Sequence, residues 1–316
     1  MQAVSPAPPD VQEIEPATAA MNAEIAAKLK VTPDLWSFPA EVVRDARRQG
    51  RGIFPLSPAS PRARVEAIDG RAGKVPIRVI APEAPRGAYL HLHGGGWMLG
   101  QAYLQDGLLE RLADECGLAC VSVDYRLAPE HPFPAGPDDC EAAALWLVEN
   151  AESRFGTRRL FIGGESAGAN LSLVTLLRLR DRLGSIPFSG ANLVAGCFDL
   201  GLTPSARLWG QRGLILDTRD IRQFVRAYLS QGEDPRHPSI SPLYADLKGM
   251  PPVLLSVGTM EALLDDSLFM AARLQASGCR ASLKIWPGGV HVFRDFDFPM
   301  ARRALAHEIA FLNGLP

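Results

Sequence analysis

Cysteine is scarce. The 316 residues hold five, at positions 116, 120, 140, 197 and 279. The number is odd and no two stand as a CxxC pair, so neither a disulfide framework nor a cysteine metal knuckle is expected. The thiols read as free, in a reducing compartment. An excess of one charge is missing as well. Lys and Arg total 33 against 35 Asp and Glu, a net charge of −2. Without a long basic run, nucleic acid is excluded as the main ligand, because phosphate contacts need clustered cations. No apolar run approaches the ~18–20 residues of a membrane span. The opening MQAVSPAPPDVQEIEPATAA has neither a basic n-region nor an apolar h-region, so no secretory signal is expected, and a soluble cytoplasmic protein is. Gly and Pro, 29 and 26 residues, are too few for a collagenous or low-complexity chain. Among six histidines only His91 and His93 form an HxH pair. They share one strand face but have no third ligand in view, so neither a metal nor any other cofactor is expected.

What is present is ordinary globular composition, 47% apolar and 22% charged, with a strong rhythm. Residues 17–30 show helical spacing through Met21, Ile25 and Leu29, and a second short helix is expected over Pro39–Gln49. Residues 63–69 and 74–80 alternate like half-buried strands around the turn Gly70 to Gly73. From residue 87 the pattern becomes strand, loop, helix. The strands are GAYLHLH, LACVSVDY, RLFIGG, NLVAGC, PVLLSVG and ASLKIW; the helices cover Leu104–Cys116, Ala135–Ala151, Ala167–Leu183, Asp265–Ser277 and Pro299–Leu312. This alternation predicts an α/β fold, a mostly parallel sheet of about eight strands covered by helices on both faces. ASLKIW is expected at a sheet edge, where a second copy of the chain has room to pair in a homodimer. Residues 198–236 break the rhythm. They contain one expected helix, Asp217–Gln231, and read as an insertion over the carboxyl edge of the sheet.

The chemistry concentrates in three loops. Gly164-Glu165-Ser166-Ala167-Gly168 lies between a strand and a long helix, the context of a nucleophile elbow, in which small neighbours let a serine sit on a strained turn. His93-Gly94-Gly95-Gly96-Trp97 follows another strand. Its consecutive glycines leave backbone N–H groups free to face a developing oxyanion, and no Lys with Ser or Thr follows to make a phosphate loop. A general base is required, and in such hydrolases it follows the serine and an acid in the chain. His291, in PGGVHVF after the last strand, fits; His237 lies among prolines, His307 in the last helix, and His131 precedes Ser166. The acid belongs to the loop after PVLLSVG, which offers Glu261, Asp265 and Asp266. Glu261 is nearest the strand end, whereas the two aspartates open the next helix and have a capping explanation.

Taken in order, His93–Gly96, the block Tyr125–Ala135 (YRLAPEHPFPA), the elbow Gly164–Gly168 followed by Asn170, and GGVHVF resemble the hormonesensitive-lipase-type (bacterial family IV) esterases of the α/β-hydrolase fold, from about residue 63 onward. The resemblance implies hydrolysis of small-molecule carboxylic esters, usually with short acyl chains, without a cofactor. It implies a helical cap built from residues 1–50 and the insertion 198–236, over a core of 51–197 and 237–316. The sequence departs from the family pattern at Glu165, often Asp; at Glu261-Ala262-Leu263, often Asp-Pro-Leu; and at His291-Val292-Phe293, usually HGF. The resulting expectation is a triad of Ser166, Glu261 and His291, with an oxyanion hole from the amides of Gly95, Gly96 and Ala167, Gly94 being an alternative. The YRLAPEHPFPA block reads as structural. Bulky residues at Leu35, Trp36, Phe38, Leu208, Trp209, Leu214 and Phe224 are expected to close an acyl pocket. An amidase or acyltransferase on the same triad is the alternative reading. A non-enzymatic small-molecule receptor or an interaction module is disfavoured by the intact order of serine, acid and histidine.

Overall fold

Strands that are apolar on both faces must be covered on both, and the connections that bring parallel strands together supply the helices to do it. The computed structural model describes residues 14–315, so the expectations for residues 1–13 lie outside the described residues. Helices α1 (Pro16–Val31) and α2 (Ala40–Arg48) come first, then the hairpin β1 (Arg64–Gly70) and β2 (Gly73–Ile80). The repeating part follows as β3 (Gly87–Leu92), α3 (Asp106–Cys116), β4 (Leu118–Val123), α4 (Ala135–Phe155), β5 (Leu160–Glu165), α5 (Ala167–Leu183) and β6 (Gly190–Val194). After α6 (Pro204–Leu208) and α7 (Thr218–Tyr228) the chain returns to β7 (Val253–Gly258), α8 (Leu264–Ala276), β8 (Ala281–Trp286) and α9 (Pro299–Asn313).

The eight strands lie in the order β1-β2-β4-β3-β5-β6-β7-β8. Pairing is antiparallel from β1 to β4 and parallel from there on. Side chains alternate between two cores, as the period of a strand demands. Leu90, Leu92, Val121 and Val123 pack beneath α4, α5 and α8, and Tyr89, Cys120 and Phe161 beneath α3 and α9. β8 is an edge strand, as the sequence predicts. α4 runs four residues beyond the expected Ala151, because Ala151 and Phe155 continue its buried stripe. α6 escapes the sequence reading, since five residues are too few to show a helical period.

The insertion is rooted in the core rather than laid upon it. Phe198, Leu200, Ala206, Trp209, Ile221 and Tyr228 belong to the same buried cluster as the sheet, and Tyr228 stacks on Trp97 at 4.7 Å. Asp217 starts α7 through a capping box with Asp220. α1 packs on the segment after β8, with Ile25 beside Trp286, Val290 and Phe293 and Asn22 Nδ2 donating to Gly288 O at 2.8 Å. α2 is tied to the loops after β3 and β4: Arg44 donates to Met98 O and Ala128 O, both at 2.7 Å, and pairs with Glu130 at 2.8 Å. Among the described residues no helix is long and apolar enough to cross a membrane.

Candidate active site

The carboxyl ends of β3, β5 and β7 and the loop after β8 meet at one edge of the sheet, where open α/β sheets gather ligand-binding groups. Ser166 joins β5 to α5 with φ 55° and ψ −119°, a conformation costing on the order of 1–3 kcal/mol for a non-glycine residue. The turn is possible because its neighbours are small. A Cβ on Gly164 or Gly168 would sit 2.0 or 1.8 Å from Leu92 O of the adjacent strand. The Ser166 amide donates to Val194 O at 2.8 Å, which fixes the elbow to β6.

His291 comes from the loop after β8 and is 7% exposed. Its Nε2 lies 3.0 Å from Ser166 Oγ, and its Nδ1 lies 2.8 and 3.0 Å from the two oxygens of Glu261. A carboxylate accepts only, so Nδ1 carries the proton and Nε2 is left to accept from the serine hydroxyl. Glu261 is 1% exposed and is held by the Leu263 amide at 2.9 Å. The three side chains that the sequence reading selected are thus brought together, over sequence separations of 125 and 30 residues.

Asp265 and Asp266 do not touch His291, nor do they cap α8 as expected; its N-cap residue Leu263 makes no side-chain cap bond, and the Asp265 amide donates to Ser205 Oγ at 3.0 Å. Both turn toward the start of the insertion. Asp265 accepts from the Ser205 amide at 2.7 Å. Asp266 accepts from the amides of Phe198 and Asp199 at 2.6 and 2.9 Å and from Thr203 Oγ1 at 2.6 Å. Burial pushes the Asp266 carboxyl up to about 7, against these hydrogen bonds. The folded protein therefore keeps this proton up to about pH 7 while the unfolded chain releases it near 3.8, so the group's effect on stability becomes unfavourable as pH rises through that window. Asp266→Asn, which resembles the protonated form, is expected to gain stability relative to the native protein as pH goes from about 5 to about 8. Urea unfolding at the two pH values measures this, and a variant that loses ground at the higher pH contradicts it.

The glycine loop is bound to the elbow through Glu165. The Gly94 amide donates to Glu165 Oε1 at 2.6 Å, so this amide is spent and the alternative oxyanion donor at Gly94 is corrected. Gly95 and Gly96 have φ of 112° and 60°. A Cβ on Gly96 would lie 2.3 Å from the Phe224 ring, which places α7 directly against the loop. His93 stacks on Tyr125 at 4.2 Å, and Tyr125 Oη donates to His93 O at 2.7 Å. Burial holds the His93 imidazole below its ordinary pKa. The YRLAPEHPFPA block thus supports the glycine loop from below, and Arg126 in it is clamped by Asp139 at 2.8 Å.

Sequence reasoning missed the charge lattice behind this loop. Glu165 Oε2 accepts from His91 Nε2 at 3.1 Å and from Arg294 Nη2 at 3.3 Å. Arg294 also pairs with Glu308 at 2.7 Å, and Glu308 accepts from Asn192 Nδ2 at 2.7 Å. Burial raises the Glu165 carboxyl, but His91, Arg294 and the Gly94 amide outweigh it and hold the group at about 2. One signal was available. Glu308 stands on the apolar stripe Ala304, Leu305, Ile309, Leu312 of α9, and a charge at a buried helical position needs a partner.

A cavity of about 980 Å³ opens over Ser166 and His291. Of the expected pocket residues, Leu35, Phe38, Leu214 and Phe224 line it. Trp36 instead packs edge-on against Phe224 and donates to Asp220 at 2.7 Å. Trp209 is buried in the core and Leu208 points to solvent, 78% exposed, because α6 packs on α7 and α8 through the side that carries Ala206.

Residues 89–295 match a family model described as the alpha/beta hydrolase fold. The chain is 35% identical to an acetyl-hydrolase of Streptomyces hygroscopicus over 227 residues, 71% of this chain and 74% of that protein. It is 30% identical to an esterase of Acinetobacter venetianus over 288 residues, 90% of this chain and 92% of the relative. Among solved structures, a hyperthermophilic esterase from the archaeon Pyrobaculum calidifontis superposes with a TM-score of 0.84 at 30% identity, covering 96% of this chain and 98% of the other. An esterase from the bacterial hormone-sensitive lipase family gives 0.80 at 28% identity, covering 96% and 99%.

Proposed function

The chain belongs to the alpha/beta-hydrolase family, in its hormone-sensitive-lipase branch, and is a carboxylic ester hydrolase; from this we propose that it is a serine esterase in which Ser166, His291 and Glu261 form the triad. The observation that carries this reading is the unbroken hydrogen-bonded line from Ser166 Oγ through His291 to Glu261. Ser166 Oγ attacks the ester carbonyl as His291 Nε2 takes its proton. Glu261 holds the imidazole in the required tautomer and stabilises the imidazolium. The negative charge on the carbonyl oxygen is met by the amides of Gly95, Gly96 and Ala167. Collapse of the tetrahedral species expels the alcohol, protonated by His291, and leaves acyl-Ser166. Water, deprotonated by the same base, then releases the acid.

We assign residues 14–50 and 198–236 to a cap over this site, on the support of α2 and α7 side chains lining the cavity. The Phe224 ring against Gly96 and the apolar lining favour short acyl chains. The five free thiols, four of them buried, favour a cytoplasmic setting, and the edge strand β8 is the surface through which we propose a homodimer forms. A fluorophosphonate probe is expected to label the native protein and not Ser166→Ala. On nitrophenyl esters, kcat/KM should be greatest at or below a four-carbon acyl chain. Labelling that survives Ser166→Ala sinks the nucleophile assignment, and a higher kcat/KM on a twelve-carbon ester sinks the chain-length assignment.

A further inference from the structure

The cavity over Ser166 carries a cation that the ester chemistry does not use. Arg47, on α2, lines the same cavity as Ser166 and His291. Of the other cavity-lining guanidinia, Arg111 pairs with Glu115 at 2.7 Å, Arg219 with Asp34 at 2.8 Å and Arg294 with Glu308 at 2.7 Å, and Arg51 is exposed to solvent. Among the described residues Arg47 has no ion-pair partner. Its contacts are a long hydrogen bond, 3.4 Å, from Nη1 to Leu99 O, and the face of Phe54 at 5.3 Å. Asp295 attracts it through space, but that carboxylate is already engaged by Gln105 Nε2 at 3.1 Å and lies 3.6 Å from Arg294 Nε. The position is close to the chemistry: the Leu99 amide donates at 2.8 Å to Gly95 O, within the proposed oxyanion loop. Burial pushes the Arg47 guanidinium down, as befits a charge taken from water without full compensation. A half-buried guanidinium with most of its five donors unspent is suited to a carboxylate, which it can grip with two parallel hydrogen bonds.

We propose that Arg47 selects esters that carry a carboxylate, binding this second charged group while Ser166 attacks the ester carbonyl. The inference rests on the serine-esterase reading above. It makes the preferred substrate an anionic ester, either a half-ester of a dicarboxylic acid or an acylated hydroxy acid, and those two sources are separated by the test.

The test measures proton release from matched pairs. In the acyl arm, the ethyl half-esters of succinate, glutarate and adipate are each compared with the neutral ester whose free carboxylate is replaced by carboxamide. In the alcohol arm, 4-acetoxybutanoate is compared with 4-acetoxybutanamide. In at least one pair the anion should have a kcat/KM about tenfold higher, the scale of one charge-assisted contact. The difference should lie mostly in KM. In Arg47→Met, which keeps the contact with Phe54 and loses the charge, the ratio should fall to about one, while Arg47→Lys should keep part of it. If Arg47→Met does not fold, the native ratio must still shrink with added salt and differ in Arg47→Lys. Turnover of the neutral esters with no anion preference in any pair overturns the role of Arg47 and leaves the esterase reading standing, and so does a preference that persists in folded Arg47→Met. Absence of turnover on every ester, ethyl butyrate included, overturns both.

Discussion

Glu261→Gln is expected to lower kcat by about 10⁴, the loss seen when the triad acid of a serine protease becomes its amide, with KM little changed. The geometry gives the reason. Both Glu261 oxygens face His291 Nδ1, at 3.0 and 2.8 Å, so the carboxylate fixes the proton on Nδ1 and leaves Nε2 free for the serine. An amide can turn its NH₂ toward the ring. It then stabilises the tautomer with the proton on Nε2, which cannot accept from Ser166, and it offers no charge to the imidazolium. Asp265→Asn should keep turnover, because that carboxylate holds the Ser205 amide at 2.7 Å and not the base. Kinetics on one short nitrophenyl ester compares the two variants. Loss of turnover in folded Asp265→Asn, with activity retained in Glu261→Gln, would move the acid four residues along the chain.

That the grouping of Ser166, His291 and Glu261 was readable in the sequence has a local cause. Each sits at a strand's carboxyl end, in a loop whose glycines are required by backbone contact, so the motif and its geometry share one short segment. Gly164 and Gly168 against Leu92 O are an instance. Strands β3 to β7 were legible for a similar reason, since both of their faces are buried and their residues are mostly apolar, whereas β1 and β2 showed themselves by alternation. The lattice around Glu165 was not legible, because its partners lie 74 and 129 residues away and each alone looks like an ordinary polar residue. Glu165 stood out only as a departure from Asp. The roles of Asp265 and Asp266 were misread as caps because a carboxylate in a first helical turn has a sufficient local explanation. Their true partners, Ser205 and the turn Phe198–Thr203, lie about sixty residues upstream in a segment with little periodicity.

Glu165→Gln is expected to cost both stability and rate, and Arg294→Met to cost more stability than rate. Glu165 joins the Gly94 amide to Arg294 and His91, so it positions the glycine loop on the elbow without touching substrate. Its amide replacement must set an NH₂ either against His91 Nε2–H and Arg294 Nη2–H or, flipped, against the Gly94 N–H, and so loses a bond in either orientation. The loop then shifts relative to Ser166, and if one oxyanion donor is misplaced kcat falls by about 10²–10³. Arg294→Met leaves Glu165 and Glu308 buried without their shared cation, a loss of about 3–5 kcal/mol for a broken buried pair. The double variant removes the cation together with one of its anions and should be less destabilised than the sum of the singles. Acid adds a second readout. The Glu165 carboxyl, held at about 2 against an ordinary 4.5, contributes stability that is present above 4.5 and lost as pH falls toward 2, a loss that Glu165→Gln should not show. A merely structural role would lower stability without changing kcat in the folded fraction. Unfolding curves of the two singles and the double, with kcat measured under folded conditions, decide the matter: additive destabilisation, or a Glu165→Gln kcat equal to the native value, would show that this lattice does not hold the oxyanion loop.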